Sequence, residues 1–324
     1  MARALALTVL AASLSTAVAV PRSPWYSSWP NKGHSADTND GIHLAIKPSC
    51  GAFGGNFTNV NAGLKTSAVK TFVVFGDSYT DGGAHDGGPL PAAIVPANST
   101  RAGGRVTNGP VWVEWVANAT KATLMDYAIS GAVVNHTLWP SKSTQSDLME
   151  QTDLFLSQNH ELNPDSTVYV SFFGINDYSA SKTDGDNLPT AAAQLLARLE
   201  VLASPPTNAK KFLILDDYGR GTHAATGDAF KQAVFDGAAN FSKNGAKVAF
   251  VDFAPLWDAV FGTDPGYEAF GYTSDDSCFD STSPVGTEGE CADPAHTFYW
   301  LHGHPSKETH KIMGDYVLDV LNGC

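Results

Sequence analysis

Four short stretches of this chain carry residue types suited to acyl transfer. The first is Phe75-Gly76-Asp77-Ser78, where an apolar run ends at a glycine and a hydroxyl follows. A serine hydroxyl is a weak nucleophile until a neighbouring base takes its proton. The second is Tyr127-Ala128-Ile129-Ser130-Gly131. A glycine there lets a backbone N–H approach a ligand with no side chain in the way. The third is Phe173-Gly174-Ile175-Asn176-Asp177. Asn176 offers an amide donor that cannot ionise; a developing oxyanion needs such donors, and a carboxylate such as Asp177 cannot serve. The fourth is Trp300-Leu301-His302-Gly303-His304-Pro305-Ser306, which offers two imidazoles as competing general bases. Taken singly, each stretch is commonplace, because Ser, Gly and Asn after strands are most often turn or cap residues.

The elements between these stretches follow a regular alternation. Apolar, β-branched runs at 70–75, 166–173, 211–215 and 247–253, with a weaker one at 123–128, predict strands. Continuous apolar runs imply strands covered on both faces, as in a parallel sheet. Helical patterns begin at Pro110 and run through Trp112, Val113 and Val116; residues 191–202 place Leu195, Leu199 and Leu202 on one face. A final helix carries Ile312, Tyr316 and Val320, with Ser306 as its N-cap. This alternation predicts a single doubly wound α/β domain. Ligands of such sheets bind beyond the carboxyl ends of the strands, where Ser78, Gly131 and Asn176 all fall. A helix starting after Ser78 would bring its positive dipole end to the serine oxygen.

Residues 1–19 read as a secretory signal: Arg3, an apolar stretch at 5–14 and the small-residue site Ala17-Val18-Ala19. No later apolar run reaches the ~20 residues of a membrane span. The chain is therefore expected to be exported and extracellular, without stable membrane association. Residues 20–68, rich in Gly, Asn, Pro and Ser and carrying Trp25, Tyr26 and Trp29, read as an irregular arm packed on a domain spanning 69–324. The net charge of −13 disfavours nucleic acid and anionic lipid as partners and tolerates neutral substrates. Four cysteines in an exported chain suggest two disulfides in one of three pairings. The favoured pairing joins Cys278 to Cys291 across a short loop and Cys50 to Cys324 across the chain ends. No two cysteines stand at zinc-ligand spacing. Sequons at Asn56, Asn98, Asn118, Asn135 and Asn240 suggest a glycoprotein. A monomer is expected.

Taken in order, Gly76-Asp77-Ser78, Gly131, Gly174-Ile175-Asn176-Asp177 and His304-Pro305 resemble the motifs of the SGNH, or GDSL, hydrolases. The resemblance runs from about residue 70 to the C-terminus and is strongest to fungal secreted esterases grouped with carbohydrate acetyl esterases. It extends to FGDSYTDGG at 75–83, GRVTNGPVW at 104–112 and Cys291-Ala292-Asp293-Pro294. It implies a flavodoxin-like three-layer α/β/α sandwich with a mostly parallel sheet. It makes Ser78 the nucleophile and His304 the base, since His304 is followed by Pro and a small hydroxyl residue. It assigns the oxyanion hole to the Ser78 N–H, the Gly131 N–H and the Asn176 amide, and it needs no metal or cofactor. The implied substrate is a small-molecule or oligosaccharide ester of a short acyl group, acetyl foremost. The alternatives are a lipase or phospholipase, with LPAAIVP at 90–96 as its lid, and a glycan-binding protein with a decayed site. Asp77, Asp81, Arg105 and Asn108 match family positions near the site and are read as loop-holding groups. Trp139 and Trp300 follow site motifs closely and are candidates to face substrate.

One departure stands out. The family places an Asp three residues before its catalytic histidine, and here that position is Leu301. Three readings follow: a backbone carbonyl near Leu301 orients the imidazole, another acid such as Asp293 or Asp81 reaches it, or the enzyme is inactive. The acid limb of activity is expected near the ordinary imidazole value of ~6.5.

Overall fold

The computed structural model describes residues 41–324 apart from Val285 and Thr287. The signal sequence read over 1–19, and the front of the arm with Trp25, Tyr26 and Trp29, lie outside the described residues.

Six strands form the central sheet: β1 (Val60–Ala62), β2 (Thr71–Gly76), β3 (Thr123–Asp126), β4 (Thr167–Phe172), β5 (Lys211–Asp216) and β6 (Lys247–Asp252). Their order is β1-β6-β5-β4-β2-β3, and every pairing is parallel except β1 with β6. The apolar runs explain why. Along β2, Phe72 and Val74 enter one core while Val73 and Phe75 enter the other. The same alternation holds along β5, where Leu213 and Leu215 oppose Phe212 and Ile214. A strand with period-2 side chains and apolar residues at every position must be covered on both faces.

Helices provide that cover. One layer is α1 (Trp112–Thr120), α6 (Ala254–Phe261) and the C-terminal α7 (Lys307–Gly323), which bury Trp112, Trp257 and Tyr316. The opposite layer holds α2 (Leu148–Ser157), α4 (Leu188–Ala203) and α5 (Ala225–Lys243), which bury Phe155, Leu195 and Phe235. The arrangement is the expected three-layer α/β/α sandwich. Ser306 caps α7 as expected, accepting a hydrogen bond from the Thr309 N–H at 3.3 Å.

Two features depart from the sequence reading. Within the stretch read as an irregular arm, β1 joins the sheet as its antiparallel edge. A second sheet, β7 (Ser274–Phe279), β8 (Thr297–Leu301) and β9 (His304–Pro305), lies near the C-terminus. It encloses a small apolar cluster of Val106, Cys278, Phe279, Trp300 and Leu301. Both expected disulfides are formed, Cys50–Cys324 and Cys278–Cys291. The first closes the ends of the chain over 274 residues, and the second ties the end of β7 to the loop before β8. Among the described residues, no helix is long and apolar enough to cross a membrane.

Candidate active site

The chain leaves β2 to run through edge strand β3 and returns to β4 on the other side, so β2 is a topological switch point. Crevices form beyond the carboxyl ends of strands at such points. Ser78 follows β2, Gly131 follows β3, and Asn176 lies in the first turn of α3 (Ile175–Asp184), directly after β4. Three neighbouring strands therefore aim three of the four motifs at one edge of the sheet.

No helix follows Ser78. The chain makes a single turn, with the Thr80 and Asp81 N–H groups both donating to the Asp77 carbonyl. The dipole of a full helix is thus not available to the serine oxygen. Asp77 is fully buried, and its carboxyl accepts from the Tyr79 N–H at 3.0 Å and the Asn176 side-chain amide at 3.1 Å. Burial pushes the Asp77 carboxyl up to about 7.

The fourth motif arrives from the second sheet. His304 Nε2 stands 2.9 Å from Ser78 Oγ. Its Nδ1 stands 3.0 Å from the carbonyl oxygen of His302. A carbonyl only accepts, so Nδ1 carries the proton and Nε2 presents its lone pair to the serine. Burial pulls the His304 imidazole down to about 4, and the positive charges of Arg220 and Arg101 add to the shift. This lies below the ordinary value near ~6.5, through a burial that the sequence does not reveal.

The acids considered for the missing partner are engaged elsewhere. Asp293 pairs with His296 at 2.9 Å. Asp81 accepts from the Ser130 N–H and hydroxyl at 2.8 and 2.6 Å and pairs with His85 at 2.8 Å. Leu301 itself is fully buried in the small apolar cluster. The His302 side chain is exposed, and its backbone, not its imidazole, meets His304.

Around this pair, Gly131 has φ +87, a left-handed conformation that favours glycine, and a Cβ there would have to displace the Gln145 side-chain oxygen. Neither the Ser78 N–H nor the Gly131 N–H donates to another group among the described residues. The Asn176 side-chain nitrogen donates to Asp77 and to the Ala132 carbonyl, the latter at 3.0 Å. The remaining family positions hold loops: Arg105 grips Glu114 at 2.7 and 2.9 Å, and Asn108 accepts from the Lys307 N–H at the start of α7. Trp139 and Trp300 are corrected as substrate-facing residues, since both are buried. Trp139 donates to Asp177 and Trp300 to the Thr100 carbonyl.

Two residues escaped the sequence reading. Tyr79 Oη and Arg220 Nη1 each donate to the Gly303 carbonyl at 2.8 Å, beside His304.

The sequence profile of the GDSL-like lipase/acylhydrolase family matches residues 72–317. The chain belongs to this family. A similar curated protein is an acetylesterase from Hypocrea jecorina, 32% identical over 148 residues. That match takes in 37% of this chain and 40% of the acetylesterase. Among solved structures, the GDSL-like chain is similar to a family two carbohydrate esterase from Clostridium thermocellum, with TM-score 0.45 and 14% identity over 78% of this chain and 64% of that one. It is also similar to an acetylxylan esterase from Geobacillus stearothermophilus, with TM-score 0.41 and 15% identity over 78% and 94% of the two chains.

Proposed function

We propose that this protein is a secreted serine carboxylic ester hydrolase acting on short acyl esters of small molecules or oligosaccharides, acetyl esters foremost. One observation carries the proposal: the 2.9 Å approach of Ser78 Oγ to an imidazole nitrogen whose tautomer is fixed as a base. His304 Nε2 takes the Ser78 proton as the oxygen attacks the ester carbonyl. The C=O π pair moves to oxygen, and the resulting oxyanion lies toward the free N–H groups of Ser78 and Gly131. Collapse expels the alcohol, which takes the proton from His304, and leaves an acyl-serine. Water then repeats the sequence, releasing the acid and restoring Ser78.

Asn176 is the third oxyanion donor. Both of its N–H groups already donate, so the oxyanion shares one of them in a three-centre bond. Each fixed donor of this kind contributes roughly 2.7–4 kcal/mol in the transition state. Orientation by a carbonyl keeps the correct tautomer and gives up only the charge of the missing carboxylate. The intact Ser78–His304 pair argues against a decayed glycan-binding protein.

Export and glycosylation fit the two disulfides and the exposure of Asn56, Asn98, Asn118 and Asn240. Asn135 is the exception: it is half-buried and donates to Gln194. A lipase reading draws on Ile94, 62% exposed in the apolar stretch 90–96. A chain-length series of nitrophenyl esters separates the two; a steep fall beyond butyrate supports the acetyl reading, and a rise toward octanoate supports the lipase. The class itself is tested by Ser78→Ala against wild type on nitrophenyl acetate and acetylated xylo-oligosaccharides. Loss of both activities in a folded variant is expected, and retention of either rejects Ser78 as nucleophile.

A further inference from the structure

The carbonyl that orients His304 comes from a residue only two positions earlier, so the contact is a local turn. That turn pivots on Gly303, which has φ +64, in the left-handed region. Glycine leaves this region easily, because no Cβ restricts it. The family's usual carboxylate would hold the imidazole by itself, whereas here Leu301 points into an apolar cluster. Something else must keep the turn in shape.

The Gly303 carbonyl belongs to the peptide that joins Gly303 to His304. It receives two hydrogen bonds from distant parts of the chain, Tyr79 Oη at 2.8 Å and Arg220 Nη1 at 2.8 Å. We propose that Tyr79 and Arg220 are positioning residues: by clamping the Gly303 carbonyl they fix the peptide plane on which His304 hangs and aim the His302 carbonyl at His304 Nδ1, replacing the acid missing at Leu301. This inference rests on the Ser78–His304 reading above.

Both donors are themselves held. Tyr79 is fully buried, its ring against Trp257 and Phe172, and burial keeps its phenol protonated. It directly follows Ser78, so one short turn carries the nucleophile and grips the base. Arg220 sits in the turn after β5 at φ +50, a backbone conformation that L residues rarely adopt, and its N–H donates to the Asp217 carbonyl at 3.2 Å. Its guanidinium lies against Gly303, where an added Cβ would come within 2.7 Å of Nη1. Glycine is thus required both for the turn and for the close approach of the clamp.

Charge alone does not account for Arg220. A fixed cation beside His304 disfavours the imidazolium that forms as Ser78 attacks, and Arg220 contributes to the lowered basicity of this imidazole. A group acting only through its charge would slow the reaction. The two effects have opposite signs, which makes them separable by experiment.

The test compares wild type, Arg220→Met, Arg220→Lys, Tyr79→Phe and His304→Ala on nitrophenyl acetate. Misplacing a catalytic group by 1 Å can cost about 100-fold. Arg220→Met should therefore lower kcat by about 10- to 100-fold with KM within about 3-fold of wild type. Its acid limb should move to higher pH, since the cation is gone. Arg220→Lys should lose less activity and keep its acid limb. In ¹⁵N spectra, wild-type His304 should show one tautomer, protonated at Nδ1, and Arg220→Met a mixture of two. Tyr79→Phe should fall between wild type and Arg220→Met. If circular dichroism shows Arg220→Met unfolded, Tyr79→Phe decides the matter by the same kcat and tautomer readouts. Arg220→Met or Tyr79→Phe with kcat within about twofold of wild type and a single Nδ1–H tautomer overturns the clamp, since positional effects are expected to be far larger. His304→Ala separates the failures. If it stays fully active, the base assignment falls and the clamp with it; if it is inactive while the clamp variants are unaffected, only the clamp falls.

Discussion

An ester hydrolase with His304 as base should stay active well into acid. Burial removes water that would solvate the imidazolium and outweighs the His302 carbonyl, which pulls in the other direction. The imidazole ends at about 4, and it catalyses only when neutral. At pH 5 a group with this value is about 90% neutral, whereas an ordinary imidazole is about 3% neutral. The ratio is about 30-fold, so the two cases are easily told apart. The assay is kcat/KM for nitrophenyl acetate from pH 3 to pH 8, read at a wavelength where nitrophenol and nitrophenolate absorb equally. The expected profile is nearly flat from pH 5 to pH 8 with an acid limb near pH 4. A limb near pH 6.5 would mean that water reaches His304 freely, and the argument from burial would fail.

Stability should show a pH dependence of its own. Asp77 at about 7, Asp177 and Asp216 at about 6, and Asp126 and Asp217 well above the usual range all hold protons through burial that the unfolded chain releases near ~3.9. Raised carboxyls contribute stability at low pH that is lost as pH rises through their folded values. The buried His304 and His310, at about 4 and about 3, act in the opposite sense below ~6.5. From pH 5 to pH 8 the carboxyls at about 7 and about 6 lose more than the two imidazoles gain, so calorimetry should give a higher Tm at pH 5 than at pH 8, and the reverse order contradicts the assignment. Gly131→Ala should lower kcat by about 100-fold and reduce stability by about 1–2 kcal/mol for its left-handed φ; unchanged kinetics would remove Gly131 from the site. Leu301→Asp should cost more than about 3 kcal/mol, by losing apolar burial and placing a carboxylate among Phe279, Trp300 and Val106; a denaturant titration checks it. The paired change Cys50→Ser, Cys324→Ser opens a loop of 274 residues and should destabilise by up to about 5 kcal/mol, more than the same change at Cys278 and Cys291.

The sheet was legible because its strands are apolar at consecutive positions, and Phe72 to Phe75 alternate between two cores. Strand β1 (VNA) and strand β7 (SDDSCF) were not, because neither presents an apolar run and both depend on partners elsewhere in the chain. At the site, Ser78 and Asn176 each stand two residues after a glycine at a strand's end, Gly131 is itself a glycine, and His304 lies between Gly303 and Pro305. Arg220 lies between Gly219 and Gly221 just after β5, but that pattern marks only a turn, and Tyr79 reads as one more residue of the turn after Ser78. They meet Gly303 across 83 and 224 residues of sequence, and only the folded chain shows that they share one carbonyl. The shift of His304 belongs to the same class, since burial by distant segments leaves no local signature. Leu301 pointed to an anomaly, and the group that meets His304 Nδ1 is the His302 backbone carbonyl, which side-chain patterns cannot display.

The central claim is that Ser78 is made nucleophilic by His304. A fluorophosphonate that labels activated serines, followed by peptide mass spectrometry, tests it most directly. The account predicts one adduct, on Ser78, formed at least about 100-fold more slowly in His304→Ala. An adduct on another residue, or equal labelling rates in the two proteins, would contradict it.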